Sequence, residues 1–314
     1  MKKIMNLFLL MWLLVLIGGC DSKIDVTPEQ LSSSSLETSE EISFLAVGRQ
    51  GYGNEPVKKI AESMNRIAGE YPTDFVVQAG DHFYPSGVKS VRDKRWTKDF
   101  EELYSGEHLQ NLPFYAVAGN HDHYGTVVPQ IKYSQDKLGS GRWRMPYYFY
   151  AIDFGGVNGR VLARMVFLDA ILMEKNPDRQ VQFLKDEMRK PGDPIWKIIV
   201  NHYPIRSMTH NGLAKTRILN ELLPIAKDLD VDLYISANDP FQQLLQREGE
   251  PLHLGTNGGG RFIDSGIKLE NSEANIIFLQ RGFGRVAVDN QTMTVELRDI
   301  NGRLSYQKRI QRQP

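Results

Sequence analysis

Four short polar clusters stand directly after apolar runs. They are Asp81-His82-Phe83-Tyr84 after "FVVQAG", Asn120-His121-Asp122-His123 after "FYAVAG", His202-Tyr203-Pro204 after "KIIVN" and Asn238-Asp239-Pro240 after "LYISA". Together they offer carboxylate, phenolate, amide-oxygen and imidazole groups, a set that suits Zn²⁺, Mn²⁺ and iron. A single Asp or Asn after a strand is ordinarily a helix cap or turn former. Four clusters at successive strand ends exceed what capping requires. A fifth stretch, "SFLAVGRQGYG", puts the cation Arg49 at the mouth of a strand, where a working side chain is expected.

The elements that must position these groups alternate. "SFLAVG" reads as a strand, and "PVKKIAESMNRIAGEY" follows at helical spacing with proline near its start. "DFVVQAG" is a second strand, "DKRWTKDFEELY" an amphipathic helix and "LPFYAVAG" a third strand. Further on come "RMVFLDA", a helix at Asp178–Arg189, "WKIIVNH", a helix near Lys215–Leu229 and "VDLYISA". After Pro251 the pattern turns to short β segments, "NIIFLQRG", "GRVAVDN" and "TMTVELRD". The alternating aromatics of "RWRMPYYFY" fit a strand better than a nucleic-acid contact. This order predicts a layered α/β domain with mixed sheets. In such sheets the carboxyl ends of the strands border one crevice, so the clusters should converge. Trp96, Trp143 and Trp196 fall in element patterns and read as packing groups.

Lys+Arg and Asp+Glu are both 38 among 314 residues, so the formal charge is zero. That argues against a general nucleic-acid binder, which needs a concentrated basic surface. Residues 1–19 read as a signal: Lys2 and Lys3 precede an apolar run from Ile4 to Ile17, shorter than a spanning helix needs. The run ends in "IGGC", which resembles a bacterial lipoprotein signal whose cysteine, Cys20, is acylated. Several acyl chains would hold the protein on a membrane where one would not. Asp21 then suggests retention at the inner membrane, facing the periplasm. Residues 20–41 are polar and Ser-rich and are expected to form a flexible tether, with the folded domain spanning 42–314. Cys20 is the only cysteine, so no disulfide is expected.

"GDHFYPSG", "AGNHDHYG", "NHYPI" and "ISANDP" follow the order of the metallophosphoesterase motifs GD-x-FY, GNHD, GHYPV and GHDH. The chain resembles the small purple acid phosphatases of the tartrate-resistant type. The likeness extends through "GVKSVRDKRW", "PQIKYS", "RWRMPYYFY" and "LGTNGGGRFIDSG", from Ile42 to about Arg309. It implies a four-layer α/β/β/α sandwich with two mixed sheets, around two metal ions about 3.5 Å apart. In that family one ion is ferric, water activated by the metals attacks phosphorus, and two outer histidines hold phosphate and protonate the leaving group.

Carried over by the resemblance, Asp81 falls at the bridging carboxylate, Tyr84 at the ferric tyrosinate, Asn120 at the amide ligand and His202 at an imidazole ligand. His121 and His210 fall at the outer histidines. Three ligand positions depart. Arg49 replaces the aspartate after the first strand, while Asn238 and Pro240 replace two histidines; His82 also stands where the family has asparagine. Proline has no donor atom, and arginine is never a neutral ligand. At an effective dielectric of 20, a guanidinium about 4 Å from a divalent ion is repelled by roughly 8 kcal/mol. The ferric site is therefore expected to be absent. Asp81, Asn120, His202 and Asn238 could still hold one Zn²⁺, Mn²⁺ or Fe²⁺ weakly.

Arg49 can be read as a fixed charge that replaces the ferric ion and binds phosphate with His121 and His210. It can also be read as pairing with Asp81, or as pointing into solvent. The expected function is a membrane-anchored pseudophosphatase that binds phosphate or a small phosphoester. The alternatives are an active phosphatase with one metal or a site rebuilt with Asp239 or His82, and a non-catalytic scaffold for another envelope protein. Gly258-Gly259-Gly260 lacks the Lys-Ser/Thr of a P-loop and reads as backbone geometry.

Overall fold

The computed structural model describes residues 31–208, 218–259 and 275–312. The strand β1 (Ser32–Ser35) is followed by β2 (Ile42–Val47), helix α1 (Glu55–Glu70), β3 (Phe75–Gln78), β4 (Phe114–Ala116), the single turn α2 (Asn120–His123), α3 (Val128–Gln135) and β5 (Trp143–Arg144). Then come β6 (Tyr150–Val157), β7 (Arg160–Phe167), α4 (Ala170–Lys175), α5 (Asp178–Met188), β8 (Trp196–Val200), α6 (Leu223–Asp228), β9 (Leu233–Ser236), β10 (Gln242–Leu245) and β11 (Leu252–Gly255). The chain closes with β12 (Asn275–Phe278), β13 (Gly282–Val288), β14 (Thr292–Asp299) and β15 (Leu304–Gln311). One sheet runs β15-β14-β13-β2-β3-β4-β5, parallel from β2 to β5; the other runs β1-β6-β7-β8-β9-β11-β10-β12.

Alternation along each strand divides the core into layers. Phe44 and Ala46 of β2 enter the space between the sheets with Phe75, Phe154, Ile198 and Ile235. Leu45 and Val47 face outward onto Ile60, Met64 and Ile67 of α1. On the opposite face Ile199 and Val166 pack under Leu184, Met188 and Ala226 from α5 and α6. Each large buried side chain contributes about 1.5–3 kcal/mol. The result is the expected α/β/β/α sandwich. Trp96, Trp143 and Trp196 are all buried, as packing groups should be. Among the described residues no helix is long and apolar enough to cross a membrane.

Three local expectations are corrected. The tether expected through residue 41 gives way at Ser32–Ser35, which pairs in parallel with Ala151–Phe154 of β6. Backbone groups make that ladder whatever the side chains, Leu31 is buried beside it, and Ser32 Oγ donates to Glu187 at 2.8 Å. In "RWRMPYYFY" only Trp143–Arg144 and Tyr150 are in strands. Pro146 cannot donate to a ladder, and the segment crosses layers, with Trp143 in one core cluster and Tyr147 and Phe149 in another. In "DKRWTKDFEELY" the helix widens at Thr97–Glu101, where Glu102 N–H donates to Thr97 O at 2.8 Å. Trp96, Phe100 and Tyr104 are all buried there, against Trp143 and Phe114.

Candidate functional site

The strand ends of both sheets meet at one seam. Gly48, after β2, lies so close to Ala237, after β9, that an added Cβ would sit 2.2 Å from the Ala237 methyl. Gly80 has φ +94° and faces the His202 ring, which a Cβ would meet at 2.4 Å. Asp122, fully buried, binds the loops after β3 and β4 together. Its Oδ2 accepts from Asp81 N (2.9 Å) and Gly119 N (2.8 Å), and its Oδ1 from Gln130 Nε2 (3.0 Å). The sequence shows Asp122 only as a member of a cluster. Its role as an anchor depends on two loops and the helix α3 brought together by the fold.

At the seam Asp81, Asn120 and His202 converge as expected. His202 Nδ1 lies 2.7 Å from Ala79 O, which can only accept, so this nitrogen carries the proton. Nε2 then points at Asn120 Oδ1 (3.1 Å) and Asp81 Oδ1 (3.5 Å). Three lone-pair groups thus face one point, and an electrophile, proton or cation, belongs there. Among the described residues no three His, Cys, Asp or Glu side chains gather to hold a metal, so a set here must include the amide oxygen. Burial alone would raise the Asp81 carboxyl, but His202, the Tyr84 hydroxyl and the His121 N–H together hold it below its usual range. Asn238 is half-buried, and its backbone N–H donates to the His202 backbone carbonyl at 3.1 Å.

The neighbouring half of the site has a different character. Tyr84 donates its hydroxyl to Asp81 Oδ2 at 2.7 Å. Burial and the Asp81 charge push the phenol well above its usual range, against a hydrogen bond and the charge of Arg49. Arg49 itself is only 9% exposed, so it does not point into solvent as one reading of the sequence had it. Nor does an ion pair join it to Asp81 among the described residues; Asp81 is engaged by Tyr84, His121 and His202. The guanidinium acts instead on the Tyr84 hydroxyl and on Asp239. Asp239 is buried and accepts from Gln243 Nε2 at 2.5 Å; burial pushes its carboxyl up to about 6, with Ser207, Gln243 and Arg49 opposing.

His82 does not enter the site, so it cannot rebuild it. Its Nε2 meets Val117 O at 2.7 Å, and its ring stands edge-on to Trp143. His121 does border the site: Nδ1 donates to Pro85 O at 2.8 Å, and the ring leans on Tyr84 at 4.2 Å between centroids. His123 is drawn away to Asp169, at 2.7 Å. Pro240 contributes only its carbonyl, to the Asn257 amide. Gly258 accepts from Gln50 Nε2 at 2.6 Å, and a Cβ there would collide with that amide, which fits the reading as backbone geometry. His210, Cys20 and Gly260 lie outside the described residues.

A two-sheet sandwich with polar strand-end clusters on its seam defines a metallophosphoesterase fold. A family model described as "Calcineurin-like phosphoesterase" matches residues 53–239, and the chain belongs to that family. It is 28% identical over 302 residues to tartrate-resistant acid phosphatase type 5 of Homo sapiens, covering 86% of this chain and 90% of that protein. It is 31% identical over 244 residues to purple acid phosphatase 17 of Arabidopsis thaliana, covering 70% and 68%. Among solved structures, GAP50, titled the anchor in the inner membrane complex of Plasmodium, superposes with a TM-score of 0.76 at 22% identity, covering 88% of this chain and 90% of that one. The purple acid phosphatase PPD1 from yellow lupin (Lupinus luteus) seeds gives 0.67 at 14% identity, covering 88% and 54%.

Proposed function

We propose that this protein binds phosphate or a small phosphomonoester at the seam, and that Arg49 has taken over the place and charge of the ferric ion found in the family's dinuclear pattern. The observation that carries this reading is the burial of Arg49 with its charge acting on the Tyr84 hydroxyl, which itself donates to Asp81. A tyrosine held as a phenol between a carboxylate and a guanidinium does not suit a ferric ion, which needs the phenolate. A buried guanidinium suits a phosphate oxygen. His121 borders the same pole, and His210 is proposed to complete it. On this reading the centre is eroded at Arg49, Asn238 and Pro240, and the protein is a pseudophosphatase.

A second reading rests on the convergence of Asp81 Oδ1, Asn120 Oδ1 and His202 Nε2. Their spacing fits one Zn²⁺, Mn²⁺ or Fe²⁺, with Asn238 the nearest candidate for a fourth ligand. When bound, such an ion would polarise a phosphoryl oxygen. The residues would then divide the work: Asp81, Asn120 and His202 hold the ion, Arg49 and His121 orient the phosphate, and Asp122 fixes both loops.

Elemental analysis and inorganic phosphate calorimetry on the full-length protein test the two together. The first reading expects phosphate binding without stoichiometric metal, weakened at least about tenfold by Arg49→Ala. Unchanged phosphate affinity in that variant would remove Arg49 from the site. Metal-dependent phosphomonoester turnover lost in His202→Ala would establish the second reading instead. No phosphate binding at all would leave an interaction scaffold, with an envelope protein as the partner to seek. The triple variant Arg49→Asp, Asn238→His, Pro240→His should gain metal and activity if erosion is the right account.

We also propose that residues 1–19 form a signal peptide and that Cys20 is lipidated, anchoring the domain on the periplasmic face of the inner membrane, as "IGGC" and Asp21 suggest. Labelling with a fatty-acid analogue checks it: incorporation should vanish in Cys20→Ser.

A further inference from the structure

Four aromatic rings form one continuous row across the mouth of the site. Tyr52 lies flat on Tyr84, with centroids 4.1 Å apart and planes within 10°. Tyr84 leans on His121 at 4.2 Å, and His121 meets Tyr124 edge-on at 4.9 Å. The two inner rings are the groups that border the phosphate pole proposed above. The two outer ones open to solvent: Tyr52 is 41% exposed and Tyr124 67%, the latter the most exposed large hydrophobic residue described.

Neither outer ring is loosely held. The turn carrying Tyr52 is tied to the loop after β3 at two points, Gly51 N to Asp81 O (3.0 Å) and Tyr84 N to Gly51 O (3.1 Å). Tyr124 donates its N–H to Asn120 O at 3.0 Å, and its hydroxyl accepts from Asn120 Nδ2, also at 3.0 Å. The rings are thus fixed before any ligand arrives, which lowers the entropy cost of stacking another ring on them. Leaving two large aromatic faces in water brings nothing to folding. Beside a pole that holds a small anion, each offers an exposed ring on which the organic part of a phosphoester can rest, the row turning by 55° and 64° between Tyr84 and Tyr124.

We infer that Tyr52 and Tyr124 form an aromatic shelf that selects phosphomonoesters of planar aromatic groups over aliphatic ones, a specificity that rests on the phosphate-binding reading. An aryl phosphate and a nucleoside monophosphate share the chemistry that would be recognised, a flat ring joined to a phosphate. Stacking of one ring against an aromatic side chain changes affinity by about tenfold or more.

The test compares inorganic phosphate, glycerol 2-phosphate, phenyl phosphate and adenosine 5′-monophosphate by calorimetry on the full-length protein. Phenyl phosphate or the nucleotide should bind at least about tenfold more tightly than glycerol 2-phosphate, and whichever is tighter identifies the source of the ring. That ratio should fall towards one in Tyr52→Leu, in Tyr124→Leu or in both, and should survive Tyr52→Phe and Tyr124→Phe, which keep the rings. Equal affinity for aliphatic and aromatic esters, with inorganic phosphate still bound, overturns the shelf and spares the phosphate reading. A ratio unchanged in both leucine variants likewise overturns the shelf. Failure of inorganic phosphate itself to bind overturns both.

Discussion

Arg49 and Asp81 stand at the ends of adjacent parallel strands, β2 and β3, and both hold a left-handed backbone, with φ of 58° and 61°. Each is bonded across to the other's loop: Arg49 N donates to Gly80 O at 2.9 Å, and Gly51 N to Asp81 O at 3.0 Å. Asp tolerates this region; a long side chain such as arginine is held there at a cost of about 1–2 kcal/mol. The strain at Arg49 points to a function of its side chain that stability alone does not require.

Two substitutions separate the backbone from the side chain. Arg49→Gly relieves the strain, Arg49→Ala keeps it, and both remove the guanidinium. The glycine variant should be the more stable of the two by about 1 kcal/mol, a difference of roughly 2–4 °C in Tm. Phosphate affinity should fall at least about tenfold in both. A glycine variant that melts below the alanine one would refute the strain account.

Asp122→Ala should be among the most damaging changes near the seam. It strands the N–H groups of Asp81 and Gly119 and the amide of Gln130 in a buried place. The expected loss is about 3–5 kcal/mol by denaturant titration. Asp122→Asn, which keeps an acceptor, should lose less and restore part of the ligand affinity.

Zn²⁺ or Mn²⁺ titrated into metal-free protein should find no more than one site per chain, and His202→Ala should abolish it. Competition with a chelator reads the stoichiometry. Two sites per chain would contradict the assignment of Arg49 to the ferric half.

An acid limb of stability should originate away from the seam. His253 is buried, neither ring nitrogen hydrogen-bonded among the described residues, and lies 3.6 Å from Glu250, which Arg206 clasps with two bonds of 3.0 and 2.6 Å. Burial holds the His253 imidazole below its ordinary 6.5, with Arg206 and Arg247 adding to the effect and Glu250 opposing it. The unfolded chain therefore takes up this proton first, so the stability is complete above about pH 6.5 and declines as pH falls below it. Glu250, held well below its ordinary 4.5 by His253 and Arg206, adds a second decline below about pH 4.5. The Tm loss between about pH 7.5 and 5.5 should be smaller in His253→Phe than in the parent; an equal loss would discount His253.

The sequence made the strand ends legible because period-two burial and polar termini both survive in one dimension. Asp81, Asn120 and His202 were readable as a converging set for that reason. The state of Arg49 was not: whether it met solvent, Asp81 or Tyr84 depends on a backbone angle and on Asp239 arriving from the other sheet. His82 carried the right chemistry for a ligand, yet the twist at Asp81 aims it at Val117 O. β1 was hidden because ladder bonds do not depend on side-chain type, so four serines give no periodic signal.

The near-contact of Gly48 with Ala237 and of Gly80 with His202 means that each half of the sandwich supplies only part of the candidate site. A guest held by Arg49 and Asp81 on one side and His202 on the other would act as a rivet through both sheets. Its affinity for the closed state would add directly to the work of prying them apart. Amide exchange at Ala79, Asn201 and Ala237 should slow together when the guest is present, making occupancy and the integrity of the whole sandwich a single measurable quantity.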